Sequence, residues 1–378
     1  APIGPLHGVP VGLKDIIDTR GMPTERGSVL HAGRVPLADA SVVARLLAAG
    51  AIALGKTVTT EFAVFGPGKT TNPHDAARTP GGSSSGSAAA VAADMVPVSL
   101  GSQTNGSTIR PAAFCGVLGL KPTRGLISRH GLLTLSPSLD HVGLFARSIE
   151  DLALLLEVLS GPDAADPGTL PVAQLPFRAV AAAEPPVPPR FAFIKTPHWQ
   201  HAEPEMHAAF SELCQQLGEQ VEEIELLPFA EGAWGWHQTI MEAEMALQLE
   251  PEWISGQAQL TGTLRQQLER GRQVTALEYQ RALANIEPLY AGLAELFEQR
   301  YDAILTPATL GAAPLGLDST GDPVFCTPWT LCGMPALSLP LLETPAGLPL
   351  GVQLVGPRCG DARLLRSARW LCARFAEV

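Results

Sequence analysis

No uninterrupted apolar run in this 378-residue chain approaches the roughly 20 residues needed to span a bilayer, so no membrane role is expected. Nor is there a C-x-x-C pair. The six cysteines, Cys115, Cys214, Cys326, Cys332, Cys359 and Cys372, are scattered among mostly apolar neighbours. They read as free thiols in a reducing compartment, which points to a cytoplasmic location and away from a disulfide framework. The nine histidines form no H-E-x-x-H pattern, and His198 and His201 fall in the loop-like TPHWQHAEPE, so neither a metal nor another cofactor is expected. Lys and Arg number 26 against 37 Asp and Glu, a formal net charge of -11. A chain without a basic footprint is not expected to bind nucleic acid, and a small molecule is the expected partner. No internal repeat is evident either. The chain begins at Ala1 with no signal-peptide pattern, and what precedes it is left open.

The chain does contain apolar substance, at 46% hydrophobic residues, enough for a large core. GPLHGVPVGLKDIID reads as a buried strand that carries Lys14 to its end. DASVVARLLAA, with its acidic start and Gly50 after it, predicts a helix, and AIALGKTVTTEF predicts a strand. The alternation implies an α/β fold with a large central sheet covered by helices on both faces. IEDLALLLEVL is an apolar helix, and the proline-rich stretch from Gly161 to Arg190 reads as an irregular connection, a seam between lobes. FAFIK resumes as a strand, Glu203 to Leu227 reads as one amphipathic helix, and Trp234 to Arg300 is helical. YDAILTP, PALSLPLL and LGVQLVG return as strands, closed by a helix from Asp361 to Phe375. The expected organisation is a single domain, 1–378, with an α/β core from 1–160 and 301–378 and a mainly helical covering region at 190–300.

The stretch from Pro80 to Pro111 organises the rest. Two clusters of small and hydroxyl residues, GGSSSGS at 81–87 and GSQTNGS at 101–107, flank the apolar AAAVAADMVPVSL. Clusters of this kind are usually loops or linkers. Here the segment between them is too apolar for water and reads as a short helix and a buried strand. Two such turns tied to one strand bring serine hydroxyls and backbone N–H groups together, the materials of a nucleophile and an oxyanion site. Serine needs a base within reach, and no histidine lies near either cluster in sequence. A neutral lysine can serve, provided burial lowers its pKa by about three units from about 10.4. Lys14 is placed for that, with Asp15 and Asp18 as the charges that would oppose the shift.

GGSSSGSAAAVAA followed by GSQTNGSTIRPAAFCGVLGLKPTRG closely resembles the signature of the amidase signature family, amide hydrolases with a Ser-cisSer-Lys triad. The lysine segment GPLHGVPVGLKDIIDTRGMPT, the approach TEFAVFG, TNPHD and RTPGG, and the C-terminal PWTLCGMPALSLP and GLPLGVQLVGPRCGDARLL resemble the family as well. The resemblance implies Ser107 as nucleophile, Ser83 as the relay serine after a cis peptide, Lys14 as base, and the backbone N–H groups of Thr104, Asn105, Gly106 and Ser107 as the oxyanion hole. Asn105 stands where the family usually has the first of two glycines, and its tolerance of left-handed backbone angles is expected to preserve the turn. In its length and its QTNGSTIRP turn the chain is similar to small malonamidase-type members, in which an arginine at the position of Arg110 contacts an acidic substrate. Arg110 is therefore read either as a substrate contact or as a brace of the turn, and Ser84 and Ser102 as cleft hydroxyls. The implied function is hydrolysis of the C–N bond of a carboxylic amide through an acyl-enzyme. Two alternatives stand beside it: the glutaminase subunit of a tRNA-dependent amidotransferase, whose Met-Asp-Glu-Phe-Ala segment is Thr59–Ala63 here, and a catalytically silent binding protein. Cleft walls are expected from 234–300 and from the loop 62–71, and a homodimer is kept as an open expectation.

Overall fold

The apolar runs become the strands of one mixed sheet. The computed structural model describes residues 2–64, 66–172, 175–226 and 228–376. The strands are β1 (Pro10–Lys14), β2 (Ile52–Thr57), β3 (Val98–Gln103), β4 (Leu118–Lys121), β5 (His141–Ala146), β6 (Phe191–Lys195), β7 (Val221–Glu225), β8 (Ala303–Pro307), β9 (Ala336–Glu343) and β10 (Pro349–Val355). They lie in the order β2-β1-β3-β5-β4-β9-β10-β8-β6-β7. Both flanks are parallel, β1 with β2 and β3, and β6 with β7 and β8, while the middle is antiparallel. Burial follows position. Every residue of β3, β4, β5 and β8 is buried, as inner strands covered on both faces are. The edge strands β2 and β7 contain no fully buried residue.

Two sequence expectations need correction. Region 190–300 carries the helices between Ala233 and Gln299 and, at the expected FAFIK, strand β6. The helix expected to run to Leu227 ends at Leu217, because Gly218 takes a φ of 55° and turns the chain. Beyond it VEEIE is strand β7. The proline-rich connection is not an open seam either. Within it Phe177–Ala182 forms a short helix packed against Ile149–Leu159 and Asp361–Ala376, with Phe177 fully buried.

The helix Ser85–Ala92 explains why the first cluster is built of Gly and Ser. All but Ala92 is buried between strands and neighbouring helices. A Cβ on Gly86 would come within 2.3 Å of Val58 N, so only glycine lets the helix approach β2 this closely. Ser87 Oγ donates to Leu100 O at 2.8 Å, and Ser99 Oγ donates to Ser87 O at 2.7 Å. These bonds tie the helix to β3 and fix one serine cluster against the other.

Phe177→Ala should lower stability by about 3–5 kcal/mol, the usual cost of removing a buried aromatic ring. Urea denaturation reads this directly, and an unchanged midpoint would mean that the helix is not part of the core.

Candidate active site

Lys14 ends β1, between β2 and β3, and is fully buried. Its Nζ donates to Ser83 Oγ at 2.7 Å and to Ser102 Oγ at 2.8 Å. Burial holds its pKa well below the ordinary 10.5, and the charge that opposes this shift is Asp140. Asp15 and Asp18, the opposing charges expected from sequence, are engaged elsewhere: Asp15 accepts from Glu25 N, and Asp18 pairs with Arg34 at 2.7 Å. A neutral lysine amine has two N–H bonds and one lone pair. It can donate to Ser102 while its lone pair accepts from the Ser83 hydroxyl, which is the arrangement a base needs.

Asp140 sits at the mouth of β5 and is itself buried, which pushes its pKa up to about 6. It accepts from Thr104 Oγ1 at 2.7 Å, Leu135 N at 2.8 Å and Ser136 N at 2.9 Å. The same carboxylate thus acts on the lysine and anchors the first residue of the Thr104–Ser107 turn.

That turn, Thr104 to Ser107, is held from several sides. Gln103 Oε1 accepts from Thr108 N at 2.8 Å and Ile109 N at 3.0 Å, satisfying the start of the following helix. His237 Nε2 donates to Thr104 O at 2.9 Å, and burial lowers the His237 pKa to about 4. Thr330 Oγ1 donates to Asn105 O at 2.6 Å, and Thr327 Oγ1 donates to Asn105 Oδ1 at 2.9 Å. Asn105 does not have a positive φ, so its tolerance of left-handed angles is not what the turn uses. Instead its side chain supplies an acceptor to Thr327. Gly106 is needed for space, since a Cβ there would lie 2.8 Å from Pro323 Cβ. Among the described residues, the N–H groups of Asn105, Gly106 and Ser107 and the Ser107 hydroxyl make no hydrogen bond, which leaves them available to a ligand.

The Gly82–Ser83 peptide is cis. Ser83 and Ser107 border one small cavity with Thr104, Asn105 and Arg110, and its remaining walls are Ala63, Val64, Leu135, Met241 and Met245. Arg110 is 2% exposed, and its Nη2 donates to Gly82 O at 2.7 Å and Thr320 Oγ1 at 3.1 Å. The guanidinium therefore braces the peptide that presents Ser83 and still borders the cavity. Ser84 and Ser102 are not cleft hydroxyls facing that cavity. Ser84 Oγ exchanges hydrogen bonds with the backbone of Ser102, at 3.1 and 3.2 Å, and is fully buried. Ser102 is the second acceptor for Lys14 and lines a larger neighbouring cavity. Met241 and Met245 bring the helical region 234–300 into the wall, as expected, and Ala63 and Val64 bring in the loop; Phe65 of that loop lies outside the described residues.

Asp140, His237, Thr320 and Thr330 are site residues that sequence reasoning misses. Asp140 carries the only usable signal, an acid set into the apolar SPSLDHVGLFA at the start of a strand. Among the described residues no group of three or more His, Cys, Asp or Glu side chains is placed to hold a metal ion, and no helix is long and apolar enough to cross a membrane.

A mixed α/β sheet with a buried lysine joining two serine clusters defines a class of proteins that act on amides, and comparison with known proteins gives the family. The chain belongs to the amidase signature family, whose model, described as Amidase, matches residues 1–365. A glutamyl-tRNA(Gln) amidotransferase subunit from Thermus thermophilus is 37% identical, over 96% of this chain and 84% of the relative. A solved structure described as part of a vestigial protein complex that reveals the evolutionary origins of an s-triazine catabolic enzyme matches with a TM-score of 0.91 and 31% identity, over 98% of this chain and 84% of that one. A peptide amidase bound to the competitive inhibitor chymostatin matches at 0.86 and 32%, with coverage of 98% and 84%.

Modification of Ser107 by a fluorophosphonate should slow as pH falls through the depressed Lys14 pKa, because protonation removes the lone pair. Asp140→Asn deletes the charge that raises this pKa, so the loss should then occur at lower pH. An unshifted profile would show that Asp140 does not act on Lys14.

Proposed function

We propose that the chain hydrolyses a carboxylic amide through an acyl-enzyme on Ser107. The observation that carries this reading is the buried Lys14 amine, bonded to Ser83 beside the cavity that Ser83 and Ser107 share. Ser107 Oγ attacks the carbonyl carbon as its proton passes through Ser83 to Lys14. The N–H groups of residues 104–107 receive the negative charge on the carbonyl oxygen, where each preorganised donor is worth roughly a hundred- to a thousandfold in rate. Collapse breaks the C–N bond, and the proton returns through Ser83 to the leaving nitrogen, releasing ammonia or an amine. Water then attacks the acyl ester and gives a proton to the same relay, which returns it to Ser107 Oγ as the ester C–O bond breaks and the carboxylic acid leaves to ionise in solvent.

Two settings for this chemistry each have support. The apolar walls Ala63, Val64, Leu135, Met241 and Met245 suit a small, largely neutral acyl group, as in a free-standing amidase. The names of the sequence relatives favour the other, a glutamine-hydrolysing subunit that delivers ammonia within a tRNA-dependent amidotransferase. On that reading the partners are further protein subunits.

Ser107→Ala, purified from a host lacking amidases, should lose amide hydrolysis by on the order of 10⁴-fold or more. Retained activity would overturn the nucleophile. A panel of small amides and glutamine, assayed with and without amidotransferase partner subunits, separates the settings: partner-independent hydrolysis of small amides supports the first, and glutaminase activity that appears only with partners supports the second.

A further inference from the structure

Glu61 is a buried carboxylate, 8% exposed, that takes no part in the relay. Its Oε1 accepts from Ser28 Oγ at 3.1 Å, and its Oε2 accepts from the backbone N–H of Thr261 at 2.9 Å, two hundred positions along the chain. It opens a tight turn, Glu61–Ala63, in which Phe62 and Ala63 have φ values of 45° and 58°. Neither is glycine, so this backbone needs outside support to persist. The turn matters to the site because Ala63 and Val64 form one wall of the nucleophile's cavity, and Thr60 N donates to Ser83 O at 3.4 Å.

Another part of the cavity wall is Met241 and Met245 on the helix Ala233–Gln248. That helix packs against Gly262–Gly271, which starts directly after Thr261. The bond from Thr261 to Glu61 therefore crosses from one wall of the cavity to the support of the other. A second tie runs in parallel: Phe62 is fully buried and meets the His31 ring in a T-shaped contact with centroids 5.2 Å apart, and His31 Nε2 bonds Glu252 at 3.0 Å on the helix Glu250–Gly256.

We propose that Glu61 is a positioning residue that sets the width of the acyl cavity by clamping the Ala63–Val64 turn to the helical wall, and so selects the size of the acyl group. The proposal deepens, and rests on, the amide-hydrolysing reading. Release of the clamp lets the turn relax away from Met241 and Met245. Larger acyl groups then enter, and small ones lose contact on one side.

The test compares wild type, Glu61→Ala, Glu61→Gln and Ser28→Ala on a series of straight-chain primary amides of increasing length. For Glu61→Ala the ratio of kcat/KM for long over short amides should rise on the order of tenfold, mainly through KM, the range that a methylene-sized change in a pocket produces. Glu61→Gln keeps one acceptor oxygen for Thr261 N and should recover most of the wild-type ratio, while Ser28→Ala leaves the Thr261 bond and should move it least. Equal losses across the series in Glu61→Ala would overturn the proposal, since a general loss of stability has no size dependence. Hydrogen exchange separates the two readings: faster exchange in Glu61→Ala at both 58–64 and 261–265 supports the clamp even if the wild type hydrolyses none of the amides. Unchanged exchange in both segments refutes it.

Discussion

The structure is arranged around one buried amine, whose pKa burial holds well below the ordinary 10.5. Lys14 lies fully buried between the hydroxyls of Ser83 and Ser102, one from each glycine- and serine-rich cluster. A charged ammonium there would lose its hydration and recover only two neutral acceptors and a carboxylate at a distance, so burial favours the neutral form. Much of the surrounding construction follows from keeping water away from that amine. β1 is placed inside the sheet rather than at its edge, and the helix Ser85–Ala92 closes over it with side chains small enough to pack backbone against backbone.

The same economy of space shapes the Thr104–Ser107 turn. The Thr104 and Asn105 carbonyls and side chains are tied down by groups from remote segments, namely His237, Thr327, Thr330 and Asp140, while among the described residues the N–H groups of residues 105–107 and the Ser107 hydroxyl have no partner. A turn whose acceptors are bonded and whose donors are not is preorganised for negative charge. Asp140 links the two halves of the site, since it acts on Lys14 through space and holds Thr104 by a hydrogen bond.

How much of this could be read from the chain varies with the range of the interaction. Strand β1 with Lys14 at its end, the helix Ile149–Leu159 and the strands of the C-terminal part declare themselves by local periodicity. The acidic run around Gly218 reads as a helix face, and VEEIE, with Val221 and Ile224 three positions apart, shows itself as a strand only once it is paired with β6. The helix at Phe177 is hidden because prolines on both sides carry the stronger signal. In the site, the residues of the two serine clusters and Lys14 stand out by composition and by family resemblance. The bonds that set their geometry connect positions such as Gln103 with Thr330 and Thr104 with His237, and a lone Thr or His in a helix carries no local mark of such a partner. Arg110 shows the limit most clearly: its place three residues after Ser107 is visible in sequence, but its use as a brace for Gly82 appears only once the cis peptide and Thr320 are in view.

The most direct test of the central claim is a 13C NMR titration of protein labelled at the lysine ε-carbons, with the Lys14 signal identified by its shift in Ser102→Ala. If Lys14 is the buried neutral base, its ε-carbon titrates well below the ordinary lysine value of 10.5. A Lys14 signal that titrates at or above that value would mean that the amine is charged at neutral pH, and the proton relay through Ser83 would have to be abandoned.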